Sequence, residues 1–398
     1  MITNASAAQI ELLDLSEPTF PITPALAAKG KPNSVSLTPE VTALLDSNCV
    51  VAIGVSGGKD SDACAIAVSR HLDAIGHTGP KVLIHACLGV VEWRESLDGC
   101  RRLAAHLGWE LLVVSRKAGG LMERWESRWE SNVQRFEDLA CVKLILPWST
   151  PALRFCTSEL KGDLISAELK KRFPGQAILN VTGVRRQEST ARSKMAVSGP
   201  VKKLQRKNAA GVFWNAIIDW PVEDVVYAIV HAGLPLHEAY TRYGMSRVSC
   251  TFCIMSAIAD LQNSTTCPDN QSIYIRMCRL ELKSGFAFQG NRWLCDVAPH
   301  LLPDELRAQI PAAKAKAAKR VEIEATIPAH MLFSKGWPEA VPSWSEAVQL
   351  AEVRSSISEL MGFQAQYTTP QSIIDRYTYL IEQRAMGVGI QKATRRAA

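Results

Sequence analysis

The sequence predicts an α/β fold built on a parallel sheet, followed by a helical C-terminal module. Three observations carry this. Residues 49–55, Cys-Val-Val-Ala-Ile-Gly-Val, form one continuous apolar run, the pattern of a strand covered on both faces. Further strand-like runs alternate with segments of helical period. No tight hairpin signal separates them.

In chain order, residues 1–35 contain several Pro and Ala without a sustained period and read as a loosely held, flexible arm. The strand at 49–55 is followed by helical spacing over 61–74. A second strand at 81–88 leads to a helix at 95–107, and a third strand at 110–115 follows the turn at Gly108. A fourth strand at 177–182 ends at Gly183. Between the third and fourth lies an insertion, 117–174, with an amphipathic, Trp/Arg/Glu-rich stretch at 121–139 that reads as a helix. From 301 onward the chain turns helical: 303–319, 343–361, and 371–385 behind the Thr369-Pro370 start signal, with a basic tail ending Arg395-Arg396. The organisation expected is therefore an arm at 1–35, an α/β domain at 36–300 and a helical module at 301–398.

A chain of 398 residues with 47% hydrophobic and 21% charged residues can bury a sizeable core, which argues against disorder outside the ends. No apolar run approaches the roughly 20 residues needed to span a bilayer. The first eleven residues lack a basic segment followed by an apolar one, so no secretory signal is visible and a cytoplasmic location is expected. In a reducing compartment the eleven cysteines read as core residues, metal ligands or reactive thiols rather than disulfides. The net charge of +6 is mild. Its local concentration at Lys194, Lys202, Lys203, Arg206 and Lys207 reads as a mobile surface loop, either solvated or in contact with nucleic acid.

The sharpest local signal is the strand-to-helix junction Ser56-Gly57-Gly58-Lys59-Asp60-Ser61. A phosphate cradle needs glycines so that backbone amides approach the oxygens, and a helix N-terminus whose free N–H groups favour an anion. Lys59 adds a point charge, and Ser56 and Ser61 add hydroxyls. The loop is too short for G-x-x-x-x-G-K-[ST] and lacks G-x-G-x-x-G, which sets aside kinase-like and dinucleotide-binding readings. A second anion-binding candidate is Thr182-Gly183-Val184-Arg185-Arg186-Gln187-Glu188-Ser189 with Arg192, because guanidinium forks hold phosphate or sulfate oxygens in pairs.

Ser-Gly-Gly-x-Asp-Ser after a buried strand resembles the PP-loop of the ATP pyrophosphatase superfamily, an adenine nucleotide alpha hydrolase-like fold. Arg154-Phe155-Cys156-Thr157-Ser158-Glu159-Leu160-Lys161, the Thr182–Ser189 turn, and Trp220-Pro221 through Leu234-Pro235-Leu236-His237-Glu238-Ala239-Tyr240 to Cys250-Thr251-Phe252-Cys253 follow in order. Together they are similar to the phosphoadenylyl-sulfate (PAPS) reductase family, and to its phage reductase-like and DNA phosphorothioation ATP pyrophosphatase branches. The resemblance implies that Ser56, Gly57, Gly58, Lys59, Asp60, Ser61, Lys161, Gly183, Arg185, Arg186 and Glu188 bind ATP or an adenylyl sulfate with Mg²⁺, and that Lys59, Asp60, Arg185 and Arg192 act in catalysis. It also implies a 4Fe–4S cluster on Cys250 and Cys253, whose Cys-x-x-Cys spacing can hold a shared metal, with Cys156; as fourth ligand, Cys267, thirteen intervening residues after Cys253, is expected ahead of Cys278. A three-cysteine cluster with one open iron, a zinc site and a metal-free redox pair stay open. Cys49, Cys64, Cys87 and Cys141 read as core.

The chain departs from the reductases in two ways. One cysteine stands where they have an adjacent pair, and no cysteine follows Cys295, so a nucleophilic thiol near the chain end is missing. The expected chemistry is therefore ATP cleavage to AMP and pyrophosphate, adenylation of an acceptor and sulfur transfer. Adenylyl-sulfate reduction is the alternative, and a non-catalytic nucleotide sensor or scaffold the second. The partners expected are a small-molecule nucleotide, a sulfur donor such as a cysteine desulfurase, a DNA or RNA acceptor and a second copy of the chain, with no membrane.

Overall fold

The computed structural model describes residues 21–389, and these divide into two compact units. The first runs to Leu121 and resumes over Arg154–Gln271; the second comprises Met122–Leu153 and the chain from Ser272. The sequence-based boundary at 300/301 thus falls inside the second unit, which also takes up much of the 117–174 insertion. The first twenty residues, with most of the expected arm, and the basic tail at Arg395-Arg396 lie outside the described residues.

The first unit is organised by a six-stranded sheet: β1 (Val50–Gly54), β2 (Lys81–Cys87), β3 (Glu110–Ser115), β4 (Ile178–Val181), β5 (Ser198–Pro200) and β6 (Gly211–Trp214), in the order β3-β2-β1-β4-β6-β5. All pairings are parallel except β5 with β6. The parallel α/β class expected from the sequence is what the chain forms. The apolar run of β1 is explained by its two covered faces. Val51 and Ile53 join the core beneath the helices α1 (Pro39–Asp46), α2 (Lys59–Ala74) and α3 (Arg94–Leu107). Val50 and Ala52 join a second core with Val82, Ile84, Leu169 and Ile178. The chain runs outward from β1 through β2 to β3, then crosses back to place β4 on the other side of β1. That reversal opens a crevice at the carboxyl ends of β1 and β4, where open α/β sheets bind ligands.

Two expectations are corrected here. Residues 21–35 are not a loose arm: Ile22, Ala27 and Val35 are buried in the main core, and Trp220 donates its indole N–H to the Ser34 carbonyl at 2.9 Å. Gly30 lies so close to helix Val222–His231 that a Cβ there would stand 2.3 Å from the Glu223 carbonyl oxygen. Nor is the basic run 194–207 a free loop. It contributes β5, buries Leu204 against Gly211, and anchors Arg206 on the carbonyls of Phe173 and Gln176 at 3.1 and 2.6 Å. Lys203 pairs with Asp163. The high density of Lys and Arg masked the apolar Leu204 that fixes the segment.

The second unit is helical, with Leu121–Glu137 entering it and Asp304–Ala325, Trp344–Met361 and Pro370–Ala385 following. Its core is aromatic: Trp148 meets Trp125 and Phe288 edge-on at 5.3 and 5.1 Å between ring centroids. The Glu281 carboxylate, fully buried, accepts N–H bonds from Phe288, Leu294 and Cys295 and so ties a loop to its helix. Cys278 and Cys295 are wholly buried here. The end of this module carries two capped helices, one at Thr369, as the sequence signal there indicates, and one at Ser343.

Candidate functional site

The loop from Val55 to Gly58 leaves the carboxyl end of β1 and turns directly into α2. Gly57 adopts φ +73°, and a Cβ on it would sit 2.5 Å from the Ser96 carbonyl oxygen, so only glycine fits. Gly58 is the N-cap of α2 and offers no side-chain cap; at the helix start the Ser61 amide donates to the Gly58 carbonyl at 3.1 Å and the Lys59 amide to a hydroxyl from a distant segment at 3.3 Å. The Ser61 hydroxyl donates to the Gly58 carbonyl at 2.8 Å and accepts from the Ser56 amide at 3.3 Å, closing the loop on itself. Ser56 through Ser61 are thus brought together as the sequence suggests.

Two charged side chains at the helix start are buried or nearly so. The Lys59 ammonium lies 2.9 Å from Asp60, whose other oxygen accepts from Arg185 Nε at 2.6 Å. Burial disfavours the charge on Asp60, but Lys59 and Arg185 outweigh it and hold the carboxyl down at about 2. Burial likewise opposes the ammonium of Lys59, and Asp60 with Tyr240 overcomes it, leaving Lys59 above its ordinary value. Gly183, at the end of β4, packs against this same turn: a Cβ there would stand 2.2 Å from the Asp60 carbonyl oxygen. This close packing explains why glycine stands at 183.

The arginines of the second anion-binding candidate are paired within the chain. Arg185 is buried, with its guanidinium on Asp60, Gln187 at 2.7 Å and the Trp220 carbonyl at 3.2 Å, so it positions Asp60. Arg186 pairs with Asp219 and Arg192 with Glu188, while a Glu188 carboxylate oxygen also accepts the Arg185 amide at 2.8 Å. Each guanidinium is engaged with a carboxylate of the chain itself.

Sequence reasoning leaves His237 and Tyr240 without a role, yet both line the loop. The Tyr240 hydroxyl accepts the amides of Lys59 at 3.3 Å and Val248 at 3.2 Å, and its ring lies 5.3 Å from the Lys59 ammonium. His237 accepts the Ala239 amide on Nδ1 at 3.0 Å and faces the Ser96 hydroxyl with Nε2 at 3.3 Å. Burial pushes it down to about 4, so the ring is neutral near pH 7. Asp62, one turn into α2, is pushed up to about 7 by burial. Tyr240→Phe is expected to strand two amides and lower stability by about 1–3 kcal/mol, read as a drop in the urea midpoint at unchanged slope.

The second part of the site is rich in sulfur. Cys250 lies within electrostatic range of Cys253, Lys161 and Cys156, so the structure brings three of the four expected ligands to one region. Burial first, then the Cys253 thiol, pushes Cys250 up. Cys253 accepts the Met255 amide at 3.5 Å. Lys161 is carried by a π-helical turn, Ser158–Gly162, directly after Cys156. The sulfurs of cysteines on a cubane bind different irons and stand farther apart than ligands of a single ion. These three half-buried thiols therefore fit a cluster in number and chemistry. Cys267 is buried in an apolar cluster with Trp93, Ala239 and Met245 and hydrogen-bonded to Tyr243.

Among the described residues, the one group of three metal-binding side chains whose ligand atoms all lie within 4.8 Å is a different one: His85, Cys87 and Glu92. Cys49, Cys64 and Cys141 are buried as expected, but Cys87 is half-exposed at the end of β2 and bonded to His85. Its apolar neighbours in sequence cover the sheet and hide the fact that the strand's last residue points out of the core. Burial opposes charge on His85, and the side chains of Cys100, Cys87 and Glu92 outweigh it, pushing the ring up to about 12.

No family model matches the chain, and no curated protein matches it. Among solved structures it is similar to the U34-tRNA thiolase NcsA from Methanococcus maripaludis with its [4Fe-4S] cluster, at 13% identity and a TM-score of 0.34, covering 70% of this chain and 87% of that one. The fold assignment rests on the sheet order and the β1–α2 loop of this chain. No helix among the described residues is long and apolar enough to cross a membrane.

Proposed function

We propose that the chain is a PP-loop enzyme that cleaves ATP between its α and β phosphates, adenylates an acceptor and supports sulfur transfer to it, the acceptor being DNA or RNA. The observation that supports this reading most is the Ser56–Ser61 loop. It stands at the carboxyl end of the central strand, beside the point where the strand order reverses, and it opens a helix whose N-cap, Gly58, has no side chain to cover the first amides. Its backbone amides bind the pyrophosphate end of ATP. Lys59 supplies positive charge where charge accumulates on the departing pyrophosphate, and Asp60, held ionised by Arg185, offers a carboxylate to Mg²⁺. Arg186 and Arg192 stand next in sequence, on carboxylates that a nucleotide would have to displace.

Cys156, Cys250 and Cys253 would hold an iron–sulfur cluster, with Lys161 beside them as a positive charge. Bound there, the cluster would supply a site for a sulfur ligand. The reductase alternative needs a reactive thiol that can reach the nucleotide, and Cys295 is wholly buried, in a cage that includes Glu281. Incubation with ATP, Mg²⁺, nucleic acid and sulfide is expected to release pyrophosphate on adenylation and an equal amount of AMP when sulfide displaces it from the acceptor. Adenylyl sulfate with thioredoxin is expected to yield no sulfite, before or after Cys295→Ser. Sulfite release abolished by Cys295→Ser would overturn the proposal in favour of the reductase.

A further inference from the structure

We propose that His85, Cys87 and Glu92 form a mononuclear site for a zinc-class divalent ion, separate from the cysteines assigned above to a cluster. Nε2 of His85 and Oε2 of Glu92 are 3.4 Å apart. Two ligands at about 2.1 Å from one tetrahedral zinc stand roughly that far apart. The Cys87 sulfur completes a group in which every ligand atom is within 4.8 Å of the others. The ring is already oriented as a ligand. Nδ1 of His85 is 3.0 Å from the Val55 carbonyl, the partner that typically takes the second N–H of a metal-binding imidazole, and this turns Nε2 toward Glu92.

The donor set selects the ion. One imidazole, one thiolate and one carboxylate suit zinc and its neighbours, whereas magnesium and calcium prefer oxygen alone. A thiolate and a carboxylate together balance a charge of two, which suits a place where His85 is buried and Cys87 and Glu92 are partly so. Binding displaces the thiol proton of Cys87 and any proton on His85 Nε2 to solvent, with no change of oxidation state. Three protein ligands leave one position open. The chain itself places Glu92 beside the sulfur-rich region: Glu92 forms an antiparallel backbone bridge with Cys250, and the Thr251 amide donates to the Val91 carbonyl at 2.8 Å. The ion would therefore fasten the end of β2 beside the Cys-x-x-Cys segment.

The test uses the full chain, stripped with a chelator and titrated with Co²⁺, in a Cys156→Ser/Cys250→Ser/Cys253→Ser background that removes the competing thiols. The expected result is one tightly bound cobalt with a sulfur-to-metal charge-transfer band. Adding Cys87→Ser should abolish the band, and adding His85→Gln should abolish tight binding. No cobalt uptake in the background, or a band unchanged by Cys87→Ser, would overturn the proposal. A second measurement needs no variant fold: on the unaltered chain, Zn²⁺ should slow alkylation of Cys87, mapped by mass spectrometry, and equal rates with and without zinc would overturn it. Loss of iron from the cysteine variants with cobalt binding intact separates this site from the cluster reading.

Discussion

Asp60→Ala is expected to lower the stability of the protein by about 3–5 kcal/mol and to remove nucleotide turnover, whereas Lys59→Ala should remove turnover with a small stability change. The difference follows from who is left behind. Asp60 is flanked by the Lys59 ammonium at 2.9 Å and Arg185 Nε at 2.6 Å, both buried, and deleting the carboxylate leaves two like charges facing each other without solvent. Deleting Lys59 leaves Asp60 still paired with Arg185. From the sequence alone both variants would be expected to leave the fold intact; the buried triad makes Asp60→Ala the destabilising one of the two. Asp60 is depressed to about 2, so its contribution is fully present above its unfolded value near 3.8 and is lost only as pH falls through about 2. Urea unfolding at neutral pH therefore reads the whole effect. An Asp60→Ala midpoint equal to that of the unaltered chain would remove the triad from the account.

Anaerobically prepared protein is expected to be brown with comparable iron and sulfide, and Cys156→Ser, Cys250→Ser or Cys253→Ser should each lose the colour. Cys267→Ser should keep it, because Cys267 packs among Trp93, Ala239 and Met245. Iron and sulfide analysis beside the visible spectrum checks all four variants. Retention of colour in Cys250→Ser, or its loss in Cys267→Ser alone, would contradict the ligand set. One equivalent of zinc on the Cys250 and Cys253 thiols with no iron would replace the cluster with a structural site.

Much of this was legible in the residues because the signals were local. A continuous apolar strand, two glycines and a helix start occupy one short window, so the β1–loop–α2 unit and its neighbours β2 and β3 could be read in place. β5 and β6 were not readable. Each is only three or four residues long and is fixed by pairing with distant chain rather than by its own pattern. The site divides the same way. Ser56–Ser61 is contiguous, but Tyr240 reaches the loop from about 180 residues away, and no spacing rule points to its hydroxyl. The arginines were legible as an anion-binding type, yet whether a guanidinium faces a ligand or a carboxylate of its own chain is settled only by packing. Cys87 and Cys267 show the limit most plainly, since one reads as core and lies beside His85, while the other reads as a ligand and is buried.

The central claim is that the Ser56–Ser61 loop cradles the pyrophosphate end of ATP, and calorimetric titration of pyrophosphate, ATP and AMP with Mg²⁺ tests it without knowledge of the acceptor. Lys59 makes a charge-assisted contact with phosphate in this account, worth about 1.5–3 kcal/mol, or roughly 10- to 100-fold in affinity. Lys59→Ala should therefore weaken pyrophosphate and ATP by that factor and leave AMP unchanged. Equal pyrophosphate affinity in Lys59→Ala and the unaltered chain would contradict it.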